Sequence, residues 1–188
     1  MKQICVFGSS SENIDRTYLE VAEQLGSFLA QKSCGVIFGA GKYGVMGAVA
    51  RGVRKENGAL LGVSPDFFVE LNVLLEDYGE LVLKKTMRER KALMEDKADA
   101  FVICAGGIGT LEEFFEVITL KQLGRHSKPI IILNTLGFYD PMLDMIEQSV
   151  AQKFMSPNVH KLYSVANSID EVWEQLESYK AFSYNKYS

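Results

Sequence analysis

The apolar positions of this chain fall into two periods that take turns. Short apolar runs of strand length occupy residues 4–8, 35–38, 60–63, 81–83, 100–104, 129–133 and 163–165. Between them, apolar residues recur at helical spacing. This predicts helices at 18–30, 43–55, from 87, after 110, from about 141, and at 169–179. Asn57-Gly58 closes the second helix. Residues 65–80 follow neither period, and no repeat, low-complexity segment or linker interrupts the series. Strand–helix alternation predicts a parallel sheet with helices on both faces. The expected class is therefore α/β: a Rossmann-like, doubly wound sheet in one domain over residues 1–182. A polar and aromatic tail, 183–188, is free to fray or to cover a neighbour.

Ligands of such sheets bind beyond the carboxyl ends of the strands. Three loops there carry small residues: Gly8-Ser9-Ser10-Ser11, Gly39 to Gly44, and Gly106 to Thr110. All three should border one crevice.

The third loop is the most telling. Ala105-Gly106-Gly107-Ile108-Gly109-Thr110-Leu111-Glu112-Glu113 follows a buried strand and leads into a helix whose apolar face carries Leu111, Phe114, Phe115 and Ile118. Glycines let backbone approach an oxyanion, and the first free N–H groups of the helix point at it. Glu113 adds a fixed carboxylate, which suggests chemistry on a phosphorylated small molecule. A structural reading stands beside it: Thr110-x-x-Glu113 is also a capping box. That reading explains both residues but leaves Gly106, Gly107 and Gly109 unexplained.

Two further segments carry candidate chemistry. Gly39-Ala40-Gly41-Lys42-Tyr43-Gly44 matches G-x-G-x-x-G, with Asp66 after the next strand, so a dinucleotide site is one reading. Close helix–strand packing by these glycines and Gly47 is the other. Tyr43 stands where a Walker loop needs Ser or Thr. In Thr86-Met87-Arg88-Glu89-Arg90-Lys91, Thr86-x-x-Glu89 predicts a capped helix start. At ~100° per residue, Met87, Leu93 and Met94 define its apolar side, with Arg90 in the middle and Lys91 at the edge. A core-facing arginine is costly unless it meets an anion. The alternative is an arginine that snorkels to water. Arg88 should be solvated.

Composition narrows the class. A chain of 188 residues, 47% hydrophobic, is long enough for a real core and too apolar for disorder. A net charge of −4 without a basic run argues against a nucleic-acid partner. No apolar stretch suits a membrane span, and Met1-Lys2-Gln3-Ile4 lacks a signal-peptide layout. Cys5, Cys34 and Cys104 lie in or beside strands without metal spacing, which fits buried thiols in a reducing, cytoplasmic setting. His126 and His160 are expected to be structural, and no metal is expected.

Several of these motifs, in order, resemble one family. Ala105 to Glu113 is similar to P-G-G-x-G-T-x-x-E, and Met87, Arg90 and Lys91 to M-x-x-R-K. Phe38 to Gly47 resembles Y-G-G-G-x-x-G-L-M-G. Thr119-Leu120-Lys121-Gln122-Leu123-Gly124, with His126, Lys128 and Pro129, resembles T-W-x-Q-L-G-x-H-x-K-P. These are signatures of the LONELY GUY family of cytokinin riboside 5′-monophosphate phosphoribohydrolases, often mislabelled lysine decarboxylases. The resemblance runs from Val6 to about Leu143. Ala105 replaces the family's proline and Leu120 its tryptophan. Neither change removes a charge or a glycine.

The resemblance implies hydrolysis of the N-glycosidic bond of a nucleoside 5′-monophosphate, a cytokinin riboside monophosphate or AMP, to free base and ribose 5-phosphate. Arg90 and Glu113 would be catalytic. Gly106, Gly107, Ile108, Gly109 and Thr110 would hold the phosphate, with Gly8 and Ser9 in the facing loop. Lys91 and Thr119 resemble binding positions, and Glu70 is the candidate acid within residues 65–80. The family implies a homodimer or larger assembly with sites near the interface. No cofactor is expected: Lys42, Lys84, Lys91 and Lys97 carry no Schiff-base signature. A carrier using the same cleft without turnover, and a dinucleotide-dependent enzyme, remain the alternatives.

Overall fold

A computed structural model describes residues 1–182; the predicted tail, 183–188, lies outside them. The elements run β1 (Gln3–Phe7), α1 (Arg16–Gln31), β2 (Gly35–Phe38), α2 (Gly44–Lys55), β3 (Leu60–Pro65), β4 (Glu80–Lys84), α3 (Met87–Lys97), β5 (Ala100–Ile103), α4 (Ile108–Gln122), β6 (Ile130–Leu133), α5 (Asp140–Ala151), β7 (Ser164–Ala166) and α6 (Ile169–Ser178). The seven strands form one parallel sheet in the order β4-β3-β2-β1-β5-β6-β7.

Strand alternation divides the core. Ile4 and Val6 of β1, with Ala100 and Val102 of β5, face a layer built by α1, α2 and α6 through Leu25, Val49 and Val172. Cys5 and Phe7, with Phe101 and Ile103, face the layer of α3, α4 and α5 through Met94, Phe114 and Ile146. Both faces are covered, which is why the central strands read as unbroken apolar runs rather than alternating ones. Cys5, Cys34 and Cys104 are buried free thiols.

The order of strand addition reverses between β1 and β5: β2 to β4 are laid down on one side of β1, and β5 to β7 on the other. The loops leaving these two neighbours diverge and open a crevice at the switch point. Both belong to the set expected to converge: Gly8 to Ser11 after β1, and Gly106 onward after β5.

Several boundaries differ from the periodicity. The helix expected after Thr110 begins at Ile108, with Gly107 as its N-cap. The last strand sits one residue later than predicted, at Ser164–Ala166. Residues 65–80 are irregular as expected, apart from a 3₁₀ turn at Asp66–Phe68 and a bridge from Leu74 to Gly41. Two further 3₁₀ turns, Thr135–Gly137 and Pro157–Lys161, have no apolar period to announce them.

Candidate active site

A cleft of about 320 Å3 opens at the switch point. Gly8, Ser9, Ser10 and Ser11 form one wall; Gly107, Ile108, Gly109, Thr110, Glu112 and Glu113 form the other. Gly39, Met46, Phe68, Met87 and Arg90 close it. A wider groove of about 920 Å3 lies outside α1, against residues 167–170. None of the buried charged side chains reaches that groove, whereas Arg90, Thr110 and Glu113 all border the smaller cleft. Of the two, the smaller cleft is therefore the candidate site.

The wall loops are tied together. Ser9 N–H donates to the Ala105 carbonyl at 3.1 Å, and Met46 N–H to the Ser9 carbonyl at 3.2 Å. Gly44, at φ +61°, lies so close beneath that a Cβ would come within 2.7 Å of Ser9 O and Ser11 O. Glycine alone fits there, for space and for backbone angle.

At the core of the cleft is an ion pair between two helices. Arg90 Nη1 donates to Glu113 Oε1 at 2.7 Å, and Arg90 Nε to the Val63 carbonyl at 3.0 Å. Both side chains are about nine-tenths buried. Helix α3 thus places an arginine against the Val63 carbonyl of β3, buried rather than snorkelling to water. Burial raises the Glu113 pKa above the ordinary carboxylate value, and the Arg90 charge opposes that rise. A buried pair of this kind contributes little net stability, because desolvation offsets attraction. Its value is a fixed charge at a chosen place.

Gly39 makes room for that arginine: a Cβ there would lie 2.3 Å from Arg90 Nη2. The G-x-G-x-x-G segment therefore packs against protein atoms, as its packing reading held. Gly47 does the same against the Lys42 carbonyl. Gly107 and Gly109 contrast with it. A Cβ on either would meet nothing within 4 Å, so their bareness serves the open cleft.

Among the described residues no side chain caps the N-terminus of α4, and its first turn has no acidic residue. The capping-box reading of Thr110-x-x-Glu113 is thereby corrected. Thr110 lies inside the helix, packed on Gly106, and Glu113 is held by Arg90 rather than by local amides. Free N–H groups at the start of a long helix favour an anion.

The predicted residues divide in two. Gly8, Ser9, Arg90, Gly107, Ile108, Gly109, Thr110 and Glu113 come together in the cleft. Gly106 is buried just behind it. Lys91 is buried but does not line the cleft; it pairs with Glu112, which does, and with Glu116. Thr119 is exposed well down α4, and Glu70 is exposed beyond the 3₁₀ turn. Sequence reasoning did not single out Met46, Phe68 or Glu112. Met46 and Glu112 adjoin the recognised glycine loops, whereas Phe68 sits where the chain has no period.

Comparison with known proteins agrees with this geometry. A family profile described as possible lysine decarboxylase matches residues 46–176. Cytokinin riboside 5′-monophosphate phosphoribohydrolase LOG7 of Arabidopsis thaliana is 39% identical over 95% of this chain and 82% of its own. The chain belongs to the LONELY GUY family. LOG2 of the same plant, with the same activity in its name, is 36% identical over 95% of this chain and 84% of its own. Among solved structures, TM1055 superposes with a TM-score of 0.71 at 25% identity, over 95% of this chain and 100% of that one. The molybdenum cofactor carrier protein of Chlamydomonas reinhardtii has the same TM-score at 18% identity, over 94% and 96%, and shares the fold. The motifs of this LONELY GUY member that border the cleft are those of α4, of α3 and of the loops after β1 and β2.

Proposed function

We propose that the chain is an N-glycosyl hydrolase that cleaves nucleoside 5′-monophosphates to free base and ribose 5-phosphate, a cytokinin riboside monophosphate or AMP being the substrate class. The observation that carries this reading is the buried Arg90–Glu113 pair opening into a cleft beside the uncapped start of α4. The relatives named for the same activity support it.

The 5′-phosphate sits on the free amides of Gly107 to Thr110, which orients the ribose toward Glu113. The bond from the anomeric carbon to the base nitrogen breaks, and the electron pair leaves with the base. Positive charge builds on the sugar as an oxocarbenium ion. The Glu113 carboxylate, dry and held in place, stabilises that charge and accepts a proton from the attacking water. Water oxygen bonds to the anomeric carbon; the proton that Glu113 takes from that water passes through solvent to the departing base, and the carboxylate is restored. Arg90 keeps Glu113 ionised and aimed. Its Nη2 lies beside Gly39, which also lines the cleft, and is placed to add a contact with the nucleotide.

A carrier needs no fixed carboxylate beside the sugar. The three buried thiols suit a cytoplasmic setting. A homodimer is our reading of the exposed Leu123 near the half-buried Leu120 at the end of α4, with light scattering as its test.

Purified protein incubated with a panel of nucleoside monophosphates should release free base, read by chromatography. Absence of base from every monophosphate would leave the carrier reading as the better one.

A further inference from the structure

Tyr139 is a large, fully buried polar side chain outside the cleft, 2% exposed, at the start of α5. Its hydroxyl donates to the Cys104 carbonyl at 2.8 Å. Cys104 is the last residue of the apolar run before the glycine loop, and its own N–H is fixed to the Phe7 carbonyl at 2.9 Å. The Gly106 amide faces the same phenol oxygen and favours its ionised form, but burial and the neighbouring acids dominate, so the phenol stays protonated and a donor. One hydroxyl therefore grips the peptide from which the phosphate loop departs.

The turn under Tyr139 is built to hold it there. Tyr139 N–H donates to Asn134 Oδ1 at 2.8 Å, and Asn134 Nδ2 donates to Asp140 Oδ1 at 2.7 Å. Asn134 N–H is fixed to the Ala166 carbonyl of β7. Leu136, at φ +54°, is forced into the left-handed region, where a leucine is rare, and its side chain is exposed and gains no burial. Phe138 closes the ring edge-on, 4.9 Å between centroids. Strain accepted at a surface turn, together with a satisfied amide network, delivers one phenol to one carbonyl.

The geometry points to Tyr139 as a positioning residue for substrate binding: its hydroxyl sets the direction of the chain leaving β5, and so the aim of the Gly107 to Thr110 amides at the phosphate. This rests on the proposed phosphate site. Tyr139 does not line the cleft, so its loss should weaken phosphate binding and leave the chemical step intact.

The test uses ribose 5-phosphate as a competitive inhibitor of the full chain. Tyr139→Phe keeps the ring and removes the grip. Its inhibition constant, and KM for the monophosphate, should rise about tenfold, with kcat within about threefold of wild type. Asn134→Ala, which loosens the turn beneath the phenol, should move the same constant in the same direction by a smaller factor. Tyr78→Phe removes a similar hydroxyl–carbonyl bond, to Gly58, far from the cleft, and should move neither constant. Unchanged inhibition in both Tyr139→Phe and Asn134→Ala, with wild type inhibited normally, overturns the positioning role alone. A wild type inhibited no better by ribose 5-phosphate than by ribose overturns the phosphate site, and this role with it.

Discussion

Two segments of this chain share the pattern Thr-x-x-Glu at the start of a helix, and they use it in opposite ways. At α3, Thr86 Oγ1 accepts from Glu89 N–H at 3.1 Å, and Glu89 Oε2 accepts from Thr86 N–H at 3.2 Å. Both residues are exposed, and the carboxylate is satisfied within its own turn. At α4 the helix begins earlier, at Ile108, because Gly107 serves as N-cap. Thr110 and Glu113 are then interior and buried, past the turn whose amides a capping carboxylate would meet. Arg90 from α3 meets the Glu113 carboxylate instead. The two are linked: the residue after the capping glutamate is Arg90, and its N–H bonds the Thr86 carbonyl. One Thr-x-x-Glu sets the phase of the helix that carries the partner of the other. A capping box is thus defined by where the helix starts, and a glycine three residues ahead can move that start.

The sharpest way to break this contrast is to neutralise each glutamate. Glu113→Gln should lower turnover at least about a hundredfold while nucleotide binding largely remains, because the charge facing the oxocarbenium ion is gone. Glu89→Gln should cost at most about 1 kcal/mol in stability and leave turnover within about threefold. Paired kinetics and thermal melts read both; equal losses of turnover would erase the distinction. Removing the substrate phosphate tests the helix start itself. Nucleosides should be poorer substrates by about a hundredfold or more in kcat/KM, since charge-assisted hydrogen bonds at α4 are lost. Equal turnover of adenosine and its monophosphate would take the phosphate out of the argument.

Gly109→Ala separates fold from function at the same turn. The added Cβ meets no protein atom, and alanine is the better helix former by about 0.5–1 kcal/mol, so stability should rise slightly. Activity should fall, on the order of tenfold, because the methyl group enters ligand space. A variant as active as wild type would show that nothing binds there.

Acidity gives a further handle on Glu113. Its folded pKa lies above 4.5, chiefly from burial. The acid limb of kcat/KM should therefore lie above the ordinary carboxylate range, with activity rising as pH rises through it. Stability should move the other way. A raised folded pKa means the folded chain binds more protons than the unfolded one, so this contribution is lost as pH climbs from 4.5 through the folded value. Glu113→Gln should remove the stability slope across that window. A slope that persists in that variant assigns it to another group, Glu95 being the next candidate, since burial and Glu116 push its pKa to about 7.

The parallel sheet was legible because a doubly covered sheet writes its strands as unbroken apolar runs, as in β5 and β6, whereas the strand order that sets the switch point leaves no such mark. The glycine loop and Arg90 were legible because each violates its local pattern: bare backbone before a helix, and a cation on an apolar stripe. The start of α4 was not, because Thr-x-x-Glu is a valid cap wherever it occurs, and only packing decides which residue begins the helix. The pairing of Lys91 depended on Glu112 and Glu116, which belong to another helix. Phe68 lies in an aperiodic stretch, and Tyr139 works through a carbonyl 35 residues away.

The smallest effect is expected at the capping threonine, and it decides how tightly the two segments are joined. Thr86→Ala removes one cap bond at an exposed turn and should cost about 1 kcal/mol, a fall of roughly 2–4 °C in Tm. Arg90 should stay in place, because the Val63 carbonyl, the Glu113 carboxylate and the bare face of Gly39 hold it independently of the cap. Turnover should therefore remain within about threefold of wild type. A tenfold loss of kcat with an unchanged melting temperature would mean that the cap itself aims Arg90, and that the two Thr-x-x-Glu segments are one device rather than a cap beside an active site.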